Sequence, residues 1–136
     1  ESFKRINRPK YDDSWERWNK TLGMLKHLNT RTVLRITLIR DYNDIKEMIP
    51  AFAEMVRKAS PHFIEIKSYM HIGRSTNRLE YENMLEMEEI KNFSKEIAEQ
   101  SKIFSVMDES IVSRISILQN NERFIDRFIP TCVNTS

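Results

Sequence analysis

Four polar residues on two β-type segments mark the place where this chain could do chemistry. In Thr32-Val-Leu-Arg-Ile-Thr-Leu-Ile39 the side chains alternate, so that Leu34, Ile36 and Leu38 face one way and Val33, Arg35 and Thr37 the other. In His62-Phe-Ile-Glu-Ile-Lys-Ser-Tyr69 the same alternation sets Ile64 and Ile66 against Phe63, Glu65, Lys67 and Tyr69. Arg35, Thr37, Glu65 and Lys67 thus form a row of charged and hydrogen-bonding groups suited to a polar ligand. Two positions apart on one strand face is about 7 Å, so Lys67 is expected to pair with Glu65 only loosely. The segments after these two stretches carry further polar residues: Arg40, Tyr42 and Asn43 after the first, Tyr69 and Gly73-Arg74-Ser75 after the second.

No self-contained catalytic set accompanies them. The sequence holds no G-x-S-x-G elbow, no G-x-x-x-x-G-K phosphate loop and no H-E-x-x-H pair. His27, His62 and His71 are too scattered for a metal-ligand motif, and no metal is assigned to them. With Cys132 as the one cysteine, neither a disulfide framework nor a cysteine-rich metal site can form within the chain, which implies a reducing, cytoplasmic setting.

The elements that must position the row follow from periodicity. Asp13-Ser-Trp-Glu16 reads as a capping box opening a helix whose stripe is Trp15, Trp18, Leu22, Leu25 and Leu28, taken as packing residues. After the first strand, Asp41-Tyr-Asn-Asp44 is turn chemistry, and Phe52, Met55, Val56 and Ala59 mark one face of a second helix. A proline inside a helix costs about 3 kcal/mol, so this helix is placed from Ile49, with Pro50 in its first turn and a looser turn before it. A polar connection from Met70 to Asn83 precedes a third helix marked by Met87, Ile90, Phe93 and Ile97. Two short strands, Ile103 to Met107 and Val112 to Leu118, are separated by Asp108-Glu-Ser110, and pair as a hairpin or lie side by side in the main sheet. The tail holds a short helix around Phe124 to Phe128 and frays from Pro130 to Ser136.

Helix, strand, helix, strand favours a right-handed βαβ unit and an α/β fold. A parallel sheet covered on both sides would be apolar on both faces. Here one face is aliphatic and the other polar, which fits a curved sheet with helices outside and polar groups in its lumen, as in a full or partial (βα) barrel. A two-layer sheet whose polar face is simply wet fits the pattern equally.

Length and composition suit one globular domain: 136 residues, 40% apolar, net charge +2. Charges interrupt every hydrophobic segment, so no run approaches the roughly 18 to 20 residues that span a bilayer, and no membrane partner is expected. Lys4, Arg5, Arg8 and Lys10 make the opening stretch locally basic, a cluster of the size usually found on solvated surface. The chain opens at Glu1 with neither an initiator Met nor an apolar leader, a start read as a cut.

The residues also carry a resemblance. Glu1-Ser-Phe-Lys-Arg-Ile-Asn-Arg-Pro9, Trp15-Glu-Arg17, Arg31-Thr-Val-Leu-Arg-Ile-Thr-Leu-Ile-Arg40 and Tyr42-Asn43 are followed by Phe63-Ile-Glu-Ile-Lys-Ser-Tyr-Met70, Gly73-Arg-Ser75, Arg78-Leu79, Asn83-Met84, Glu88-Glu89 and Ser113-Arg114. In order and spacing these blocks resemble the C-terminal portion of tRNA 4-demethylwyosine synthases, the radical S-adenosylmethionine enzymes of wybutosine biosynthesis. Two departures touch the loop after the second strand: His71-Ile-Gly-Arg-Ser75 stands where the family has an aromatic-Gly-Tyr-Ser sequence, and Leu85 where it has proline.

The resemblance implies an α/β fold that is the C-terminal part of a partial (βα) radical SAM barrel, mostly parallel strands with helices outside, over residues 1–120, with a tail at 121–136. It implies a lyase that condenses N1-methylguanosine in tRNA(Phe) with pyruvate carbons, using S-adenosylmethionine and a [4Fe-4S] cluster, in a monomeric parent. The family's cluster cysteines and its pyruvate lysine lie in the N-terminal half, and one thiolate at Cys132 does not replace them, so this chain alone is expected to be inactive. Arg35, Thr37, Glu65 and Lys67 would line the lumen and hold S-adenosylmethionine or the base, with Tyr69 and Arg74 at its mouth. Lys4, Arg5, Arg8 and Lys10 would meet tRNA phosphates. The competing reading is a non-catalytic tRNA-binding or interaction module on a degenerate barrel scaffold.

Overall fold

Runs of β-branched residues in alternation with polar ones place strand β1 at Val33–Leu38 and strand β2 at Phe63–Ser68, as the sequence predicts. The computed structural model describes residues 2–129. Around the two strands stand helices α1 (Ser2–Asn7), α2 (Ser14–Leu25), α3 (Ile49–Ala59) and α4 (Met87–Ser101), then strands β3 (Phe104–Ser110) and β4 (Ile115–Asn120). Pro50 lies in the first turn of α3, where its missing N–H has no helical partner to lose, and a 3-10 turn at Lys46–Met48 leads into it. The first turn of α4 is fastened by the Glu86 N–H, which donates to Glu89 Oε2 at 2.7 Å.

The sheet has the order β1-β2-β4-β3. β1 and β2 pair in parallel across the α3 crossover, while β4 runs antiparallel to both β2 and β3. The expectation of mostly parallel strands is thereby corrected to a mixed α/β sheet. The physical reason is the short link at Ile111–Arg114: only an antiparallel partner can be reached through so tight a turn, because a parallel connection needs a crossover of about a dozen residues.

Both sequence options for the last two strands are realised together, since they form a hairpin and that hairpin lies within the main sheet. Its turn is at Ile111–Arg114, where Arg114 takes a left-handed φ of 49°, and not at Asp108 to Ser110, which belong to β3.

Ile36 and Leu38 of β1, Ile64 and Ile66 of β2 and Leu118 of β4 are buried on one face with Val56 of α3 and Ile90, Phe93 and Ile97 of α4. Each such side chain contributes about 1.5–3 kcal/mol by leaving water. Phe52 and Phe93 lock α3 to α4 edge to face, with ring centroids 5.7 Å apart. Because α3 and α4 share the aliphatic face, the Arg35, Thr37, Glu65 and Lys67 row is left on the opposite one.

Residues 2–7, to which the sequence pattern assigns no element, form α1. Three local expectations are corrected. Asp13 makes no side-chain cap at α2; its Oδ2 instead accepts from Arg17 Nε at 2.8 Å, one helical turn on. Trp15 is 47% exposed; it stacks on Trp18 at 5.3 Å and meets Phe3 at a tilt of 60°, 5.2 Å away, instead of entering the main core, and the buried residue of α2 is Leu22. No helix forms at Phe124 to Phe128: this stretch is an irregular strap whose carbonyls at Asp126 and Phe128 accept from Arg31 Nη2 at 2.6 and 3.0 Å. The fraying predicted from Pro130 to Ser136, and Cys132 itself, lie outside the described residues.

Candidate functional site

Parallel pairing in register sets Arg35 opposite Glu65 and Thr37 opposite Lys67. Arg35 donates from both Nε and Nη2 to Glu65 Oε2, at 3.0 and 2.9 Å, so the partner of Glu65 is the neighbouring strand and not Lys67. The Glu65 carboxylate is the more sheltered end of that pair, 16% exposed against 62% for Arg35. Lys67, near the C-terminal end of β2, has no carboxylate within ion-pair distance among the described residues.

On β4 the row continues with Ile117 opposite Glu65 and Ile115 opposite Lys67. Asp108 joins it from β3, opposite Ile117, because a bulge between Val106 and Asp108 shifts the alternation by one residue. Read from sequence, Asp108 is part of the link between the two last strands and so is missed, and even within β3 a strict period of two would assign it to the other face. The Glu109 N–H donates to Asp108 Oδ1 at 2.8 Å and Arg127 Nη2 to Oδ2 at 2.6 Å, and these donors hold the carboxyl below the usual carboxylate range.

The C-terminal ends of β1 and β2 lead into loops that are tied to each other. Asn43, buried, accepts at Oδ1 from the Ile39 N–H at 2.7 Å and donates from Nδ2 to the Thr37 carbonyl at 3.0 Å. The Arg40 N–H donates to the Asn83 carbonyl at 2.9 Å, Asn83 Nδ2 returns a bond to the Arg40 carbonyl at 3.1 Å, and the Arg40 guanidinium pairs with Glu89. Tyr69 is buried beside Ile39 and Met84, and its hydroxyl meets His71 Nδ1 at 3.1 Å. Arg74 stands exposed on a 3-10 turn at Gly73–Asn77, with no side-chain partner among the described residues. Gly73 opens that turn with φ +61°, a conformation strained for any other residue.

The predicted basic group divides. Arg5 and Arg8 line a cavity of about 330 Å³ together with Asp41, Tyr42, Arg78 and Leu79. Lys4 and Lys10 do not line it; Lys10 Nζ lies 5.6 Å from the Tyr11 ring centre. Arg78 was not among the expected nucleic-acid residues. No local signal ties it to Arg5, since the two are brought together only by the packing of α1 on the loop after β2.

Among the described residues, no group of three or more His, Cys, Asp or Glu could hold a metal ion, and no helix is long and apolar enough to cross a membrane.

With this geometry in place, comparison with known proteins is specific. A family model described as wyosine base formation matches residues 58–120, from the end of α3 through β4. The chain is 43% identical over 126 residues to the S-adenosyl-L-methionine-dependent tRNA 4-demethylwyosine synthase of Methanocaldococcus jannaschii, an alignment covering 93% of this chain and 39% of that protein. With the synthase of Pyrococcus abyssi it shares 32% over 122 residues, covering 90% of this chain and 35% of that one. Among solved structures, TYW1 with a lysine-pyruvate adduct bound superposes with a TM-score of 0.79 at 41% identity, over 91% of this chain and 38% of that chain. Archaeal TYW1 gives 0.70 at 35% identity, over 91% and 37%. The chain therefore spans less than two fifths of the length of these archaeal relatives.

Proposed function

The chain belongs to the tRNA 4-demethylwyosine synthase family, and from that premise we propose that it supplies the C-terminal part of an enzyme that builds 4-demethylwyosine on tRNA(Phe) from N1-methylguanosine and pyruvate. The observation that carries this reading is the alignment along nine tenths of the chain with synthases of that name. The open sheet face then acts as part of a barrel lumen, with helices on the outside.

A [4Fe-4S] cluster needs several cysteine ligands, and this sequence has Cys132 alone, so its residues do not fit the cluster. The cluster ligands and the pyruvate-binding lysine would come from preceding sequence in a longer parent. The open face does fit S-adenosylmethionine: Lys67, which has no ion-paired carboxylate among the described residues, suits its carboxylate, and Thr37 opposite offers a hydroxyl to ribose or base. If bound, that cofactor would supply radical chemistry, and Lys67 and Thr37 would be the residues that hold it on this face.

What this chain's own residues do is hold and shelter. The Arg35–Glu65 pair keeps one carboxylate fixed in the middle of the face, and Lys67 presents a cation at its C-terminal end. Tyr69, buried at the end of β2, and Arg74, on the loop beyond, guard the mouth. Arg5 and Arg8 contribute positive charge at the same end for the phosphates of tRNA, with Lys4 and Lys10 adding to it at longer range. A face enclosed in this way excludes water and stray hydrogen donors from a reactive intermediate.

The test is turnover by the full-length protein, reconstituted anaerobically with iron and sulfide and given tRNA containing N1-methylguanosine, pyruvate and S-adenosylmethionine. Nucleoside mass analysis should find 4-demethylwyosine, and Lys67→Met should abolish it without lowering the melting temperature. Binding of tRNA with neither cluster nor product would assign the chain to a non-catalytic binding module instead.

A further inference from the structure

We propose that the cavity between α1, the turn after β1 and the loop after β2 is a pocket for one phosphodiester group of the RNA, held by Arg5, Arg8 and Arg78. The inference rests on the reading of the chain as part of a tRNA-modifying enzyme, and adds to it a defined site and a residue, Arg78, that neither periodicity nor the basic opening stretch singles out.

Each arginine is held in a different way. Arg5 Nη2 donates to the Asp41 carbonyl at 3.1 Å, and its guanidinium lies 4.2 Å over the centre of the Tyr42 ring. One donor and one stacking face fix the plane of the group while its other N–H bonds stay available. Arg78 Nη2 donates to the Ile6 carbonyl at 3.1 Å, which ties the loop after β2 to α1 and sets its fork at the cavity wall. Arg8 closes α1 in a left-handed conformation, φ 46°, with its N–H on the Lys4 carbonyl, and its side chain has no hydrogen-bond partner among the described residues.

None of the three is neutralised by a carboxylate within ion-pair distance among the described residues. Elsewhere Arg17, Arg35, Arg40, Arg114 and Arg127 each have one. The one acidic residue on the cavity wall is Asp41, so three guanidiniums face one carboxylate and the site is left net positive. Guanidinium forks match phosphate oxygens in geometry, and several together suit a group that spreads one charge over two non-bridging oxygens.

About 330 Å³ accommodates a phosphodiester with part of its sugars. All three arginines are exposed, so a chain bound there can continue in both directions, as a nucleic acid must. The pocket also lies at the C-terminal end of the parallel strands, the same end as Lys67, because Asp41 and Tyr42 follow β1 and Arg78 follows β2. A phosphate held there would set the distance between the RNA backbone and a base reaching over the open face.

The experiment is binding of a synthetic anticodon stem-loop RNA to the full-length protein, followed by fluorescence anisotropy across a salt series, with inorganic phosphate as a second probe. Arg78→Ala should weaken binding about tenfold and reduce the slope of log K against log salt by about 1, the signature of one lost phosphate contact. Arg78→Lys should restore the slope but not the full affinity, since an ammonium cannot make the forked contact. Arg8→Ala breaks no described contact within the fold and should show the same losses, so a folding defect in Arg78→Ala would not spare the inference. Unchanged affinity and slope in Arg8→Ala and Arg78→Ala, with wild-type RNA binding intact, would overturn the pocket and leave the tRNA reading standing. Loss of inorganic phosphate binding in those variants with RNA binding untouched would make this a site for a small free anion, and would equally overturn it. A wild-type protein that binds no RNA would sink the tRNA reading and the pocket together.

Discussion

Arg35 and Glu65, 30 residues apart in sequence, face each other in register across β1 and β2, and both Nε and Nη2 of the arginine converge on one carboxylate oxygen. The second oxygen, Oε1, has no donor among the described residues. The arginine is largely exposed while the carboxylate is sheltered, so the pair acts more as a fixed anion with a tether than as a source of stability.

A double-mutant cycle with Arg35→Ala and Glu65→Ala should therefore show a coupling of only about 0.2–1 kcal/mol, shrinking as salt is added. Urea unfolding of the four proteins measures it. A coupling of several kcal/mol, insensitive to salt, would contradict the exposure of Arg35.

Asn43 has the opposite character, because both ends of its buried amide are used on the backbone of the β1 exit. Asn43→Ala leaves the Ile39 N–H and the Thr37 carbonyl without these partners and should cost about 1–3 kcal/mol. The urea midpoint should fall with the slope unchanged. An unaltered midpoint would show that the loop re-forms its bonds in another way.

Lys102, just past α4, takes a left-handed φ of 64° and is exposed, which suits glycine better than any side chain. Lys102→Gly should stabilise the fold by roughly 0.5–1 kcal/mol, the left-handed penalty less the added entropy of glycine. Ser60 ends α3 in the same conformation, φ 41°, but its Oγ accepts from Asn120 Nδ2 at 3.0 Å. Ser60→Gly should therefore show no comparable gain. Equal stabilisation in the two variants by thermal melting would refute the distinction.

His62 provides the pH dependence. Its Nδ1 accepts from the Thr32 N–H at 3.2 Å and meets the Thr32 hydroxyl at 3.0 Å, an arrangement that calls for the neutral ring. Burial, then the charges of Arg123 and Arg31, lower its pKa from the ordinary 6.5. As pH falls below 6.5 the unfolded chain takes up this proton first, so stability is fully present above that value and declines as pH drops towards the lowered folded-state pKa. Below that pKa the contribution levels off. Urea unfolding of wild type and His62→Ala between pH 5 and 8 checks the sign: the difference between them should narrow as the solution is acidified, and a widening would mean that the folded protein favours the charged ring.

Much of the fold is legible in the chain itself because local sterics decide it. Alternation between β-branched and polar residues fixes β1 and β2 and tells their aliphatic faces from their polar ones. Pro50 sets the start of α3, and the spacing of Ile90, Phe93 and Ile97 sets the face of α4. The family is legible as well, since its blocks are contiguous and their order is preserved from the opening stretch to Ser113-Arg114. Counting residues sets Arg35, Thr37, Glu65 and Lys67 on one face, and in-register pairing keeps them on it.

Only the tertiary structure decided the partners. It matched Glu65 with Arg35, brought Arg78 to α1 across 72 positions, turned the last hairpin antiparallel and moved Asp108 onto the open face through a bulge. The physical reason is one of range. Periodicity and turn chemistry are set by neighbours within a few residues, whereas strand direction, register and the convergence of arginines depend on how whole elements bury one another, which no local window of sequence contains.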